Sequence, residues 1–300
     1  MVETVLLIVL GFVTALFVWA WIDALIVKRR GLARPRLIEL AIGFVTDFFD
    51  TLGIGSFAPT TSLFKLFRLV PDERIPGTLN IGHTLPTVLE AVLFIGFTSR
   101  AAVEPITLVS LIAAAVLGAW LGAGFVARWP RHYIQIGMGT VLLIAAALFV
   151  MKNLNWLPGG GHAHALFGLK LWIGVVANFC LGALMTIGIG LYAPAMMLVA
   201  LLGMEPAVAF PIMMGSCAFL MPSASIRFIR FDAYSARAAL GLTVAGLPGV
   251  YLAWRFFQWL PITAVRWLVV VVVVYAAIAM LRSAMVRGRA DAVRVKGAGA

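Results

Sequence analysis

The chain has 300 residues, 63% of them hydrophobic and 12% charged, with a mean hydropathy of +1.04 and a formal net charge of +11. That composition excludes an ordinary soluble domain. The placement of the charge excludes a nucleic-acid surface, because ten of the 23 Lys and Arg lie in two clusters, Lys28, Arg29, Arg30, Arg34, Arg36 and Arg282, Arg287, Arg289, Arg294, Lys296, each directly after an apolar stretch. Cytoplasmic flanks of membrane helices have this pattern.

In chain order, Glu3–Val27 is long and apolar enough to span a bilayer. Glu3 stands where a signal peptide would be basic, so Val2–Val27 reads as a retained helix with the N-terminus outside. Leu37–Phe57 and Ala58–Val70 form a pair broken by glycine and proline. Spans follow at Pro76–Phe97, Ile106–Val126 and Tyr133–Met151. A soft loop, Leu157–Ala165, contains His162 and His164; it reads as a loop rather than a metal pair, and neither a metal nor another cofactor is expected. A second broken pair, Phe167–Leu191 and Tyr192–Leu202, precedes spans at Ala207–Phe228, Ala236–Phe257 and Ala264–Leu281. Cys180 and Cys217 lie in apolar segments and read as small core hydrophobes. The tail from Arg282, ending in GAGA, reads as flexible and cytoplasmic.

The two broken pairs are copies. Shifting Phe44–Leu85 by 135 residues matches twelve of 42 positions without a gap, including Gly53/Gly188, Gly55/Gly190, Pro59/Pro194, Pro71/Pro206 and Pro76/Pro211. Matched glycines and prolines mark an internal duplication. The basic clusters all fall on one side only if each broken pair enters and leaves on the same side; three spans then separate the pairs, which inverts the second copy. The expected fold is an all-α polytopic membrane protein of two inverted repeats, each a broken re-entrant hairpin plus three spanning helices, with one extra N-terminal helix. Its segments are 1–36 (helix and basic loop), 37–156 (first repeat), 157–166 (external loop), 167–282 (second repeat) and 283–300 (basic tail).

Gly53-Ile54-Gly55-Ser56 before Pro59, and Gly188-Ile189-Gly190 before Pro194, cannot continue a helix comfortably. Pro suits the first turn of a new helix, so each second arm starts near mid-membrane, with free amides and a positive dipole end. Two such N-termini make a site for a small anion. The residues expected to line it are Thr51, Gly53, Gly55, Ser56, Pro59, Thr60 and Thr61, with Thr186, Gly188, Gly190, Tyr192, Pro194 and the amides after Pro194 from the second copy. Glycine and proline can also serve only to let helices pack closely.

Phe44–Pro59 and Phe179–Pro194, in the phrases GFVTDFFDTLGIGSFAP and NFCLGALMTIGIGLYAP, resemble the duplicated glycine-rich segments of the TauE/SafE family of sulfite-exporter-type permeases. Gly118–Gly122 and Gly246–Gly249 fit as well, and the resemblance covers roughly Gly43–Leu281. It implies an exporter of sulfite, a sulfonate or another small organosulfur or organic anion, in a bacterial inner membrane. The pattern departs at Asp47 and Asp50, where the second copy has Gly182 and Met185.

Asp47 and Asp50 share a helical face and serve either a cavity or proton path, or an interfacial anchor with Arg36, Lys65 or Arg68. Asn80, His83, Thr87 and Glu90, at spacings of 3, 4 and 3, form a second polar face. Asp47, Asp50, Asn80, His83 and Glu90 are the proton-coupling candidates, protons being the candidate co-substrate. The weaker counterpart in the second copy is Ser216, Ser223 and Arg227. No ATP-binding loop of the GxxxxGKS type is present, so the function expected is secondary transport of a small anion by alternating access, not enzymatic, with lipid as the surrounding partner and no nucleic acid. Two alternatives stand beside it: an intramembrane metal-dependent enzyme, and a cation or proton-coupled carrier or channel using Asp47 and Asp50.

Overall fold

The computed structural model describes residues 2–26, 34–98, 102–126, 131–154, 161–185 and 190–297. The described residues form helices α1 (Val2–Ile26), α2 (Leu37–Thr51), α3 (Phe57–Leu66), α4 (Ile75–Phe97), α5 (Pro105–Val126), α6 (Arg131–Asn153), α7 (Gly168–Met185), α8 (Tyr192–Leu201), α9 (Ala209–Arg230), α10 (Ala236–Trp259) and α11 (Ile262–Gly297). Among the described residues six helical stretches are long and apolar enough to cross a bilayer: Val2–Ile26, Ile75–Phe97, Gly168–Met185, Pro206–Arg230, Ala236–Trp259 and Thr263–Met285. Large apolar side chains such as Phe12, Trp19, Trp120, Trp172 and Phe256 are exposed on the outside of the bundle. Lipid solvates such a surface and water does not, so the chain is an integral membrane protein.

Two expected boundaries move. The helix expected to reach Phe57 stops at Thr51, because Gly53 (φ 99°) and Gly55 (φ 87°) take a backbone conformation no helix contains. The tail expected to be flexible instead continues α11 as helix to Gly297. Cys217 is buried as expected, whereas Cys180 is exposed on α7.

The core is built around α9, whose apolar window is 83% buried, against 22% for α1. α9 packs on α4 and α5, α2 on α10, α5 on α7, and α6 on α11. Phe94, Phe210 and Phe257 meet at the centre of the core, with ring centroids 4.7–5.3 Å apart. Aromatic contacts of this kind add to ordinary burial.

Small residues bring the backbones together. A methyl group on Gly118 of α5 would strike the carbonyl of Phe179 in α7, and one on Gly249 of α10 would strike that of Phe44 in α2. Phe44 and Phe179 are matched positions of the duplication. Without water to squeeze out, such close approach is what holds membrane helices together.

Contacts also define the two ends of the bundle. At one end Ile42, Phe64, Val70, Ile75 and Ala238 cluster, with Ile38 and Leu69 packed against them. The buried Glu39 pairs there with Arg237 at 3.0 Å. At the other end Glu205 takes Arg266 at 3.4 Å and donates its amide to Ala163, while Glu104 donates its amide to His164. Glu104 also caps α5 by accepting from Thr107 and Ile106. Desolvation pushes its carboxyl up, but the bonds from Thr107 and Ile106 outweigh this and hold it below its ordinary range.

α3 and α8 end with the same hydrogen bonds, 135 residues apart. Leu69 N–H donates to Phe64 and Met204 N–H to Val199; Arg68 donates to Lys65 and Gly203 to Ala200. This is a Schellman cap, which needs a left-handed residue after the helix. Gly203 (φ 91°) supplies it freely, whereas Arg68 (φ 50°) holds it against a Cβ penalty. Arg68→Gly is therefore expected to stabilise the protein by about 1 kcal/mol, read as a higher midpoint of thermal unfolding.

Candidate functional site

Where the break in α2–α3 meets α4, polar side chains expected as substrate ligands and as proton carriers come together. Asp47 and Asp50 sit one turn apart on α2, and His83 and Glu90 two turns apart on α4. All four are buried, as are Thr51, Ser56, Thr60 and Tyr192. Asp47 Oδ1 lies 2.7 Å from His83 Nδ1, and His83 Nε2 lies 3.2 Å from Thr60 Oγ1 on α3. Asp50 accepts two bonds from Ser56, from its amide (2.9 Å) and its hydroxyl (2.8 Å). Glu90 joins the two copies: Thr51 Oγ1 is 2.7 Å from its Oε1, and the Tyr192 hydroxyl, at the start of α8, donates to its Oε2 at 2.9 Å.

The hydrogen-bond partners of Asp47 and Asp50 are His83 and Ser56, rather than the Arg36, Lys65 or Arg68 of the interfacial-anchor alternative. Arg237 and Arg266 form ion pairs at the ends of the bundle, with Glu39 and Glu205. Hydrogen-bonded contacts within the cluster thus join three carboxyls, one imidazole and four hydroxyls.

The room for Asp47 comes from α10. A Cβ on Gly246 would strike Asp47 Oδ2, so the missing side chain makes room for the carboxylate in this position. Oδ2 is buried and has no hydrogen-bond partner. In the second copy the arrangement is reversed: Gly182, matched to Asp47, packs its bare Cα on the Ala115 backbone.

The tips differ from expectation in one respect that matters. The N-terminus of α3 already holds a carboxyl of the protein's own, since Asp50 takes the Ser56 amide and hydroxyl. In the second copy Met185 stands at the matched position. The amides after Pro194 were expected to be free, yet Ala195 N–H donates to the Leu191 carbonyl. Helix geometry leaves the orphan amides one step earlier, at Tyr192 and Ala193.

The remaining expected residues separate. Pro59 and Pro194 are the third residues of α3 and α8, inside the first turn as proline prefers. Gly53 lies under the methyl of Met196, whereas the Cα of Gly55 and of Gly190 face open space. Thr61 is half-buried on α3. Thr186 and Gly188 lie outside the described residues. Asn80 is turned away from the cluster and donates to its own helix at Pro76 (2.9 Å), because its amide can satisfy itself locally. Ser216 is buried and Ser223 and Arg227 are exposed, which divides the stripe expected there. Sequence reasoning passed over Asn178, buried on α7, which donates to Leu111 at 2.6 Å while its Oδ1 has no partner.

Among the described residues no group of three His, Cys, Asp or Glu is disposed to hold a metal ion. Comparison with family models, with curated proteins and with solved structures found no match.

Proposed function

We propose that the chain is a secondary transporter, of exporter type, for a small anion such as sulfite, a sulfonate or another organosulfur or organic anion, as the resemblance to TauE/SafE permeases implies. The observation that carries this reading is the joining of two mid-chain helix N-termini through one buried group, Glu90, bonded to Thr51 beside the first and Tyr192 at the second. Helix starts of this kind, in irregular backbone inside a membrane bundle, are where transporters hold charged substrates.

Inverted repeats are part of the proposal. Packing supports them: exchanging α2 with α7, α4 with α9 and α5 with α10 turns the α2–α10 pair into α7–α5, and the α4–α10 pair into α9–α5. Each broken pair begins and ends at one end of the bundle. Ile38 and Leu69 share one apolar cluster, while Gly174 lies beside Leu202 near the loop where Gly161 meets Gly203. Cysteines introduced at 73 and at 162 should then label from opposite faces of the membrane; labelling from one face rejects the inversion.

The two tips divide the work. Asp50 already occupies the first, so the substrate is held at the second, by the amides of Tyr192 and Ala193, and the carboxyl cluster serves protons. Gly190 tests this with little structural disturbance, because the first carbon of a side chain there meets nothing within 4 Å. In vesicles assayed with thiosulfate, sulfoacetate, sulfite and taurine, Gly190→Leu is expected to cut transport at least tenfold while the melting temperature holds. Full transport by that variant removes the tip as the site. The surplus of carboxyls favours a second reading, a cation carrier, and the sign of the current accompanying transport separates the two.

A further inference from the structure

The hydrogen count around Thr51 says more about Glu90 than its burial does. Thr51 Oγ1 lies 2.8 Å from the carbonyl oxygen of Asp47 and 2.7 Å from Glu90 Oε1. A hydroxyl has one proton to donate. The Asp47 carbonyl can only accept, so both contacts are hydrogen bonds only if the second proton belongs to Glu90. The Tyr192 hydroxyl, 2.9 Å away, then donates to the other oxygen, Oε2.

We propose that Glu90 is a proton-binding site: in this conformation it is a neutral carboxylic acid, with its O–H on Oε1 and its carbonyl on Oε2, and it carries the coupling proton of transport. The chain of donors runs Tyr192 to Glu90 to Thr51 to the Asp47 carbonyl, so a single proton closes a link from the first residue of α8 to the last turn of α2. The surroundings favour the neutral form. The titratable groups around Glu90 are Asp47 and Asp50 from α2, Tyr192 from α8 and Cys217 from α9, while His83, two turns away on its own helix, is bonded to Asp47. Among these described residues none is Lys or Arg, and an ionised Glu90 would join two other carboxyls whose one basic partner is His83. Loss of the proton leaves Thr51 one proton for two acceptors, so it keeps its bond to either the Asp47 carbonyl or the Glu90 carboxylate and loses the other. Proton release thereby changes the hydrogen bonding where the two tips meet, the state-dependent contact that coupled transport requires.

The role in coupling rests on the transporter reading; the protonated acid does not, and the two are tested separately. Infrared difference spectra of the purified protein in phosphatidylcholine–phosphatidylglycerol vesicles at pH 7 are expected to contain a carboxylic-acid carbonyl band that Glu90→Gln removes. Tyr192→Phe, which deletes the donor to Oε2, should move that band to higher wavenumber in a protein that keeps Glu90. A missing band, or one that Tyr192→Phe leaves in place, overturns the protonated acid and its orientation. In the same vesicles with an enclosed pH dye, thiosulfate or sulfoacetate movement should carry protons in wild type, with at least a tenfold loss of that proton signal in Glu90→Gln. Anion movement without proton movement overturns the coupling role. A Glu90-dependent band in a protein that moves none of these anions supports the proton site and overturns the transporter reading instead.

Discussion

Replacing His83 by leucine is expected to destabilise the folded protein by about 3–5 kcal/mol, the usual cost of removing one partner of a buried ion pair. Among the described residues His83 is the hydrogen-bond partner of the Asp47 carboxylate: Oδ1 bonds to it at 2.7 Å, and Oδ2 has none. The variant would leave a buried carboxyl with neither oxygen satisfied. Lowering the pH should relieve part of the loss, because a carboxyl that takes up a proton no longer buries a charge. The double variant Asp47→Ala, His83→Leu should be more stable than His83→Leu alone, since it removes the orphaned group. Unfolding in detergent, followed by temperature and by SDS titration at two pH values, measures all three. If the double variant is the least stable, the pair is not the source of the loss.

The second large effect is expected at Gly118. Any side chain there strikes the Phe179 carbonyl, and helix α7 would have to move away along the whole α5–α7 contact. Gly118→Leu should cost more than about 3 kcal/mol, the upper end of ordinary overpacking, and yield little folded protein. Gly249→Leu, at the Phe44 carbonyl, should behave alike. Gly11→Ala on α1 is the control, because nothing lies within 4 Å of its Cα direction and the helix gains about 0.5–1 kcal/mol from losing a glycine. Expression and monodispersity in detergent separate the three directly.

Apolar length made the spanning helices legible, and Gly53, Gly55 and Pro59 made the first break legible, because length and backbone punctuation are local properties. The polar stripe on α4 was legible only in part. Spacing put Asn80 on a face with His83 and Glu90, but spacing does not know that an Asn can turn back to the carbonyl four residues earlier, as Asn80 does. The partner choices of Asp47 and Asp50 were beyond it too. Arg36, Lys65 and Arg68 are nearer in sequence than His83, yet the tight α2–α10 contact buries α2 and carries Asp47 to α4. Tyr192 was identified as a tip residue from its place before Pro194; its bond to Glu90, 102 residues away, is a fact of tertiary packing that no local pattern carries. Asn178 escaped notice because a single amide in an apolar run has no partner visible in the sequence.

The fit between Asp47 and Gly246 also couples the two positions. The first atom of any side chain at 246 would strike Asp47 Oδ2, so the carboxylate cannot keep its present placement beside even an alanine there. At 182, the position matched to Asp47 by the 135-residue shift, the obstacle is instead the Ala115 carbonyl, which belongs to the backbone and cannot swing aside. A buried acid thus fits at 47 and not at 182, and the two halves are unequal hosts for a carboxyl.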